Sequence, residues 1–152
     1  MYSKQEESLL RKQFWTSFGQ YLAPVRSAEG VKINWINYKT GVRFISFKMD
    51  VFNGEAYVGI ELSNPDLDKQ RRFFDQFKFL RPELEETLGE EWIWEEAVNF
   101  EGNIMSRIFT TLPKVSINRE SDWPQLISFL KTRIILLDKF WLEQKEIFEM
   151  LA

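Results

Sequence analysis

The sequence predicts an α+β fold, a mostly antiparallel sheet built from a β-meander and a second hairpin, with helices packed on one face. Three observations predict it. Apolar residues recur at helical spacing near both ends of the chain, and between those ends they alternate at strand spacing. The first alternating stretches are joined by short turn signals and not by helices, which makes neighbouring strands antiparallel. The expected order is α-β-β-β-α-β-β-α.

Ser3, with Glu6 three residues later, has the spacing of a capping box. Leu10, Phe14, Phe18, Tyr21 and Leu22 then form one apolar stripe, and Pro24 ends the helix. Ser27-Ala28-Glu29-Gly30 reads as loop. Three alternating segments follow: Val31, Ile33 and Trp35; Ile45, Phe47 and Met49; Val58, Ile60 and Leu62. Lys39-Thr40-Gly41 offers glycine where a bulged type I turn needs positive φ, which would set Trp35 opposite Ile45 and Ile33 opposite Phe47. Asn53-Gly54 is a two-residue hairpin signal that sets Met49 opposite Val58 and Phe47 opposite Ile60. Both registers gather the nine apolar residues on one face. The other face would show Phe44, Ser46, Lys48, Asp50, Tyr57, Gly59, Glu61 and Ser63 to solvent.

Asn64 is expected to cap the next helix, with Pro65 in its first turn and Phe73, Phe74, Phe77 and Leu80 as its apolar side. Pro82 should break it, leaving a short piece that Gly89 ends. Strand-like segments at 92–98 and 104–112 are joined through Glu101-Gly102-Asn103, and a further short strand is a candidate at 115–117. Ser121 or Asp122, with Pro124, starts the last helix. Its stripe of Leu126, Ile127, Leu130, Ile134, Leu137, Phe140 and Trp141 runs to about Phe148. The first and last helices are expected to cover the apolar face of the sheet.

The chain has 152 residues and neither repeat nor linker, so residues 1–152 are expected to form a single domain. Fourteen Phe and six Trp predict an aromatic core. There is no cysteine and no histidine. Disulfides, thiolate or imidazole metal ligation, a Cys nucleophile and a Ser-His-Asp triad are therefore excluded. The polar opening lacks the apolar core of a signal peptide, and no apolar run approaches a membrane span, so a cytoplasmic protein is expected.

The opening Met1-Tyr2-Ser3-Lys4-Gln5-Glu6-Glu7, the following Arg11-Lys12-Gln13-Phe14-Trp15-Thr16-Ser17-Phe18-Gly19, the Phe-rich strand around Phe47 and the Ser116-Ile117-Asn118 and Asp122-Trp123 lead-in to the last helix resemble a bacterial family catalogued as domain of unknown function 4268. The resemblance spans nearly the whole chain. It implies one domain, in a family whose members stand alone or follow a nuclease-like domain, and hence a setting near nucleic-acid metabolism or defence. No activity is established for the family, so no site residue comes with it.

Helix, three-strand meander, helix, strand is also the order of the PD-(D/E)XK nuclease core. Asp50 and Glu61-Leu62-Ser63 look like a degenerate form of its metal-binding motif, with Ser63 in place of the lysine. The hairpin register argues against a shared ion. Asp50 would face Tyr57 and Glu61 would face Ser46, four residues apart along the strands or roughly 13 Å. A cross-strand salt bridge from Lys48 accounts for Glu61 without catalysis.

The charge is also uneven along the chain. Between Glu83 and Glu101 lie eight glutamates and no Lys or Arg, with Trp92 and Trp94 among them. Either the two Trp anchor a docking surface for a basic partner, or they sit in the core while the charges protect an edge strand. Lys69, Arg71, Arg72 and Lys78, interleaved with Phe on the middle helix, are a phosphate-binding strip or simply the polar side of an amphipathic helix.

With no converging reactive residues, the expectation is a non-catalytic protein-interaction module without cofactor, metal ligand or membrane partner. Its partner is a protein, with a second copy of the chain among the candidates. The binding candidates are Lys48, Asp50, Tyr57, Glu61, Ser63, Trp92 and Trp94. A metal-dependent nuclease (or its inactive descendant) and a non-catalytic nucleic-acid-binding domain are the alternatives.

Overall fold

A computed structural model describes residues 2–152; Met1, the first residue of the segment that carries the family resemblance, lies outside the described residues. Helix α1 (Lys4–Leu22) starts at the capping box: the Ser3 hydroxyl accepts from the Glu6 amide, and the Glu6 carboxylate accepts from the Ser3 amide. Strands β1 (Ile45–Phe52) and β2 (Glu55–Leu62) form the hairpin that Asn53-Gly54 predicts, both turn residues at positive φ. Met49 stands opposite Val58 and Phe47 opposite Ile60, as the alternation requires.

Helices α2 (Leu67–Phe79) and α3 (Arg81–Leu88) are divided at Leu80, because Pro82 lies in the first turn of α3. Gly89, at φ 71°, closes α3. Strands β3 (Ile93–Phe100) and β4 (Asn103–Pro113) pair through Glu101-Gly102, and the last helix, α4, spans Trp123–Leu151. The sheet is antiparallel throughout, in the order β1-β2-β4-β3. The fold is therefore α+β with its helices on one face, in the order α-β-β-α-α-β-β-α.

Several expectations are corrected. The segment holding Val31, Ile33 and Trp35 is no strand; residues 23–44 form one irregular loop. Trp35 does reach the core, but its indole donates to the Val25 carbonyl (2.9 Å) and Val31 is exposed. Thr40 turns its hydroxyl onto the Val42 and Ile45 carbonyls, while its own carbonyl accepts from the Trp141 indole at 2.8 Å. Phe44, at φ 69°, then breaks the chain just before β1. These contacts hold the loop in place without a strand partner.

Asp66, not Asn64, caps α2; Asn64 accepts from the Asp66 amide one step earlier. The candidate strand at 115–117 is irregular, although Val115 and Ile117 are buried. Helices α4 and α2, not α1, lie across the sheet, and α1 packs chiefly against α4.

The core is aromatic. Phe77 on α2 meets Phe140, Trp141 and Phe148 of α4, with ring centroids between 4.4 and 6.4 Å apart. Beside them Gln70, 1% exposed, donates to the Asn64 and Ile104 carbonyls and accepts from the Ser106 hydroxyl. A buried amide satisfied in this way ties α2 to β4. Phe77→Ala should cost about 3–5 kcal/mol in urea unfolding, because it empties the seam between two helices.

Candidate functional site: the helix-free face of the sheet

Antiparallel partners point to the same side, so the register defines the face opposite the helices. Its centre is Tyr57 and Gly59 on β2, Arg107 and Phe109 on β4, and Glu95 and Phe100 on β3. No helix among the described residues covers it, yet Tyr57 is only 6% and Phe109 only 7% exposed. Gly59 explains this. A side chain there would begin 2.6 Å from the Tyr57 hydroxyl and 2.8 Å from Phe109 Cβ, so its absence lets the rings lie down on the strand. The two rings stack at 5.4 Å, and the Tyr57 hydroxyl reaches along β2 to donate to Glu61 at 2.8 Å.

Arg107 lies over this slab. Its guanidinium stands 3.9 Å from the Phe109 ring centre, 4.6 Å from Phe100 and 5.5 Å from Tyr57, and it donates to Glu95 at 2.8 Å. An arginine held on three aromatic faces is rigid as well as charged. Around it Ile93 and Phe52 are half-exposed, Met105 and Val98 are partly so, and Lys48 and Ser46 face solvent.

The structure places the sequence-derived candidates as follows. Lys48, Asp50, Tyr57 and Glu61 share this face, with Asp50 opposite Tyr57 and Glu61 opposite Ser46. They do not converge. Asp50 is held by Arg11 of α1, and Glu61 by Tyr57. The expected Lys48–Glu61 salt bridge is not formed; the Tyr57 hydroxyl takes its place. Tyr57 and Gly59, expected in solvent, are buried by their own neighbours. Ser63 is exposed just past the end of β2, and no three acidic side chains gather as a cation site among the described residues.

Trp92 is 5% exposed with its indole donating to Glu90, and Trp94 packs on Phe74 beneath the Arg81 guanidinium. The acidic stretch is partly neutralised by arginines, one within the same helix and three from other elements. Glu85, Glu90, Glu95 and Glu96 pair with Arg81, Arg133, Arg107 and Arg71. Lys78 also approaches Glu96, so two members of the basic strip on α2 are engaged within the chain.

Sequence reasoning missed Arg107, Phe109, Phe100 and Glu95. Both faces of β4 carry apolar residues, so alternation could not choose between them. The available signal was Gly59, since a glycine inside a strand marks a close approach.

A family model described as Domain of unknown function (DUF4268) matches residues 10–145. The chain belongs to this family. No curated protein and no solved structure matches it. The DUF4268 description assigns no activity, so the face has to be read from its own chemistry. No helix is long and apolar enough to cross a membrane among the described residues.

Gly59→Val should destabilise the domain by about 1–3 kcal/mol, through overpacking against Tyr57 and Phe109, with the loss visible as altered near-UV dichroism. The tyrosines give a pH test. Burial, then the charge and hydrogen bond of Glu61, raise the Tyr57 hydroxyl well above its ordinary 10.0; burial, then the hydrogen bond and charge of Asp138, do the same for Tyr38. As pH rises past 10 the unfolded chain loses these protons while the folded chain keeps them. Stability is thus intact below pH 10 and falls above it, by up to about 1.4 kcal/mol per pH unit for each residue. Denaturant titrations should show a shallower decline for Tyr57→Phe than for wild type.

Proposed function

We propose that the chain is a non-catalytic protein-interaction module that meets its partner with the helix-free sheet face. One observation carries this reading: a pre-ordered slab of Tyr57, Phe100 and Phe109 under Arg107, left open by every helix and bordered by half-exposed Ile93 and Phe52. Arg is enriched among residues that dominate interface energy, and a guanidinium already held on packed rings loses little freedom on binding. Lys48 and Glu61 at the margin supply polar contacts that select orientation.

The nuclease and nucleic-acid readings rank below this one. Asp50 and Glu61 are occupied by Arg11 and Tyr57 at separate positions on the face, and Arg71 and Lys78 are turned to Glu96.

The test uses wild type and an Ile93→Glu/Met105→Glu variant, both at the outer part of the face. Partners captured from the native cell extract are purified and their affinities measured against both proteins, with self-association followed by sedimentation. The expected result is one protein, or the chain itself, bound at least about thirty-fold more weakly by the variant, equivalent to about 2 kcal/mol. Equal affinity for both would remove the face from the interaction. Nucleic-acid cleavage by wild type that disappears in Glu61→Gln would replace this reading with the nuclease.

A further inference from the structure

A second feature lies in the helical layer, away from the open sheet face. The irregular loop 23–44 arches over α4 and encloses a cleft of about 320 Å³, open to solvent on one side. Ordered loops of this length without secondary structure are uncommon inside compact domains and are often functional. The volume falls at the lower end of small-molecule sites.

The floor is one face of α4. Asp138, Trp141, Leu142 and Lys145 stand at helical spacing, the acid and the base separated by two turns or roughly 10 Å of axis. Asp138 is 6% exposed. Its Oδ2 accepts from the Ala28 amide at 2.7 Å and its Oδ1 from the Tyr38 hydroxyl at 2.6 Å. Both donors are neutral, and no Lys or Arg pairs with Asp138 among the described residues. Each oxygen keeps a free lone pair, and a buried carboxylate without a counter-charge is costly. Glu29, on the loop wall, adds its negative field at the same Tyr38 hydroxyl.

The opposite end is cationic. The Lys145 side chain runs across Gly41, where a Cβ would meet its Nζ at 2.8 Å. Lys39 stands two residues before Gly41 on the loop wall. Neither lysine forms an ion pair among the described residues. Between the two ends Trp141 and Leu142 below and Val31 and Ile33 on the loop give an apolar strip, with the amides of Asn34 and Asn37 also in the lining.

We propose that this cleft binds a small zwitterion of dipeptide size. Its ammonium lies at Asp138 and Glu29, its carboxylate at Lys145 and Lys39, and its apolar body on Trp141 and Leu142. A ligand of single charge would leave one pair of side chains uncompensated, whereas a ligand charged at both ends meets both. A purely structural role for Asp138, fastening the loop to α4, accounts for its two hydrogen bonds. It leaves unexplained why two unpaired ammonium groups share the same cleft.

The test is titration of the full chain with the dipeptide Leu-Leu, its N-acetyl form and its C-terminal amide, read by calorimetry and by the Ala28 and Gly41 amide resonances. The expected result is saturable binding of Leu-Leu at millimolar concentration or below, with each blocked form roughly tenfold weaker. Asp138 is too deeply built into the fold for a clean variant, so two accessible positions test the charge assignment. Lys145→Gln should abolish the preference for the free carboxylate, and Glu29→Gln should reduce the preference for the free ammonium. No perturbation of the two amides by millimolar Leu-Leu would overturn the proposal. Equal binding of the blocked and free peptides would overturn it too.

Discussion

The packing of α4 organises the rest of the molecule. Its buried aromatic residues, Phe140, Trp141 and Phe148, close on Phe77 of α2, while Leu126, Leu130, Ile134 and Leu137 continue the same apolar stripe. Trp141 also joins two layers of the fold: its ring stands edge-on to Phe47 of β1, and its indole donates to the Thr40 carbonyl. One side chain thereby fixes the helix against the sheet and anchors the long loop. Buried aromatic rings in a single close-packed seam transmit constraint because interiors of this density do not deform gradually.

With the helical layer gathered on one side, the sheet keeps an uncovered face, and that face meets its exposure in an unusual way. It is not polar throughout. Tyr57 and Phe109 lie flat because Gly59 leaves room for them, and Arg107 covers them while paired to Glu95. The rings are shielded from water without a second layer of structure. A face built in this way is ordered by its own side chains, and the β3 edge beside it is interrupted by a bulge at Ala97, whose amide bonds to Ser106. Lateral strand addition is thus disfavoured on that side.

Charge follows the same logic. The chain looks divided into a basic first part and an acidic second part, but folding brings the two together. Arg71 of α2 meets Glu96 of β3, and Arg133 of α4 meets Glu90. The first pair is exposed and contributes little to stability by itself, while the second is partly buried. Together they soften the contrast that the linear order suggests. The charges of the α4 cleft that form no ion pair among the described residues, Glu29, Lys39, Asp138 and Lys145, are correspondingly more informative than the long run of glutamates.

Local rules were enough for much of this protein. The Ser3 capping box, the Asn53-Gly54 hairpin and its register, the break at Pro82, the end at Gly89 and the apolar stripe of α4 all depend on residues close in sequence, whose geometry is decided by backbone sterics and hydrogen bonding within a few positions. The absence of Cys and His likewise excluded whole chemistries before any fold was known. What only the tertiary structure decided depends on contacts between distant segments. Val31, Ile33 and Trp35 alternate like a strand, yet the Trp141–Thr40 bond and the Phe44 break hold that segment as a loop. Tyr57 reads as a solvent-facing strand residue, but it is buried by Phe109 and Arg107 from a strand fifty residues away. Asp138 sits inside an apolar helical stripe, and nothing local shows that Ala28 and Tyr38, about a hundred residues earlier, hold its carboxylate. Alternation reports which side chains can share a face; what covers that face is set by long-range packing.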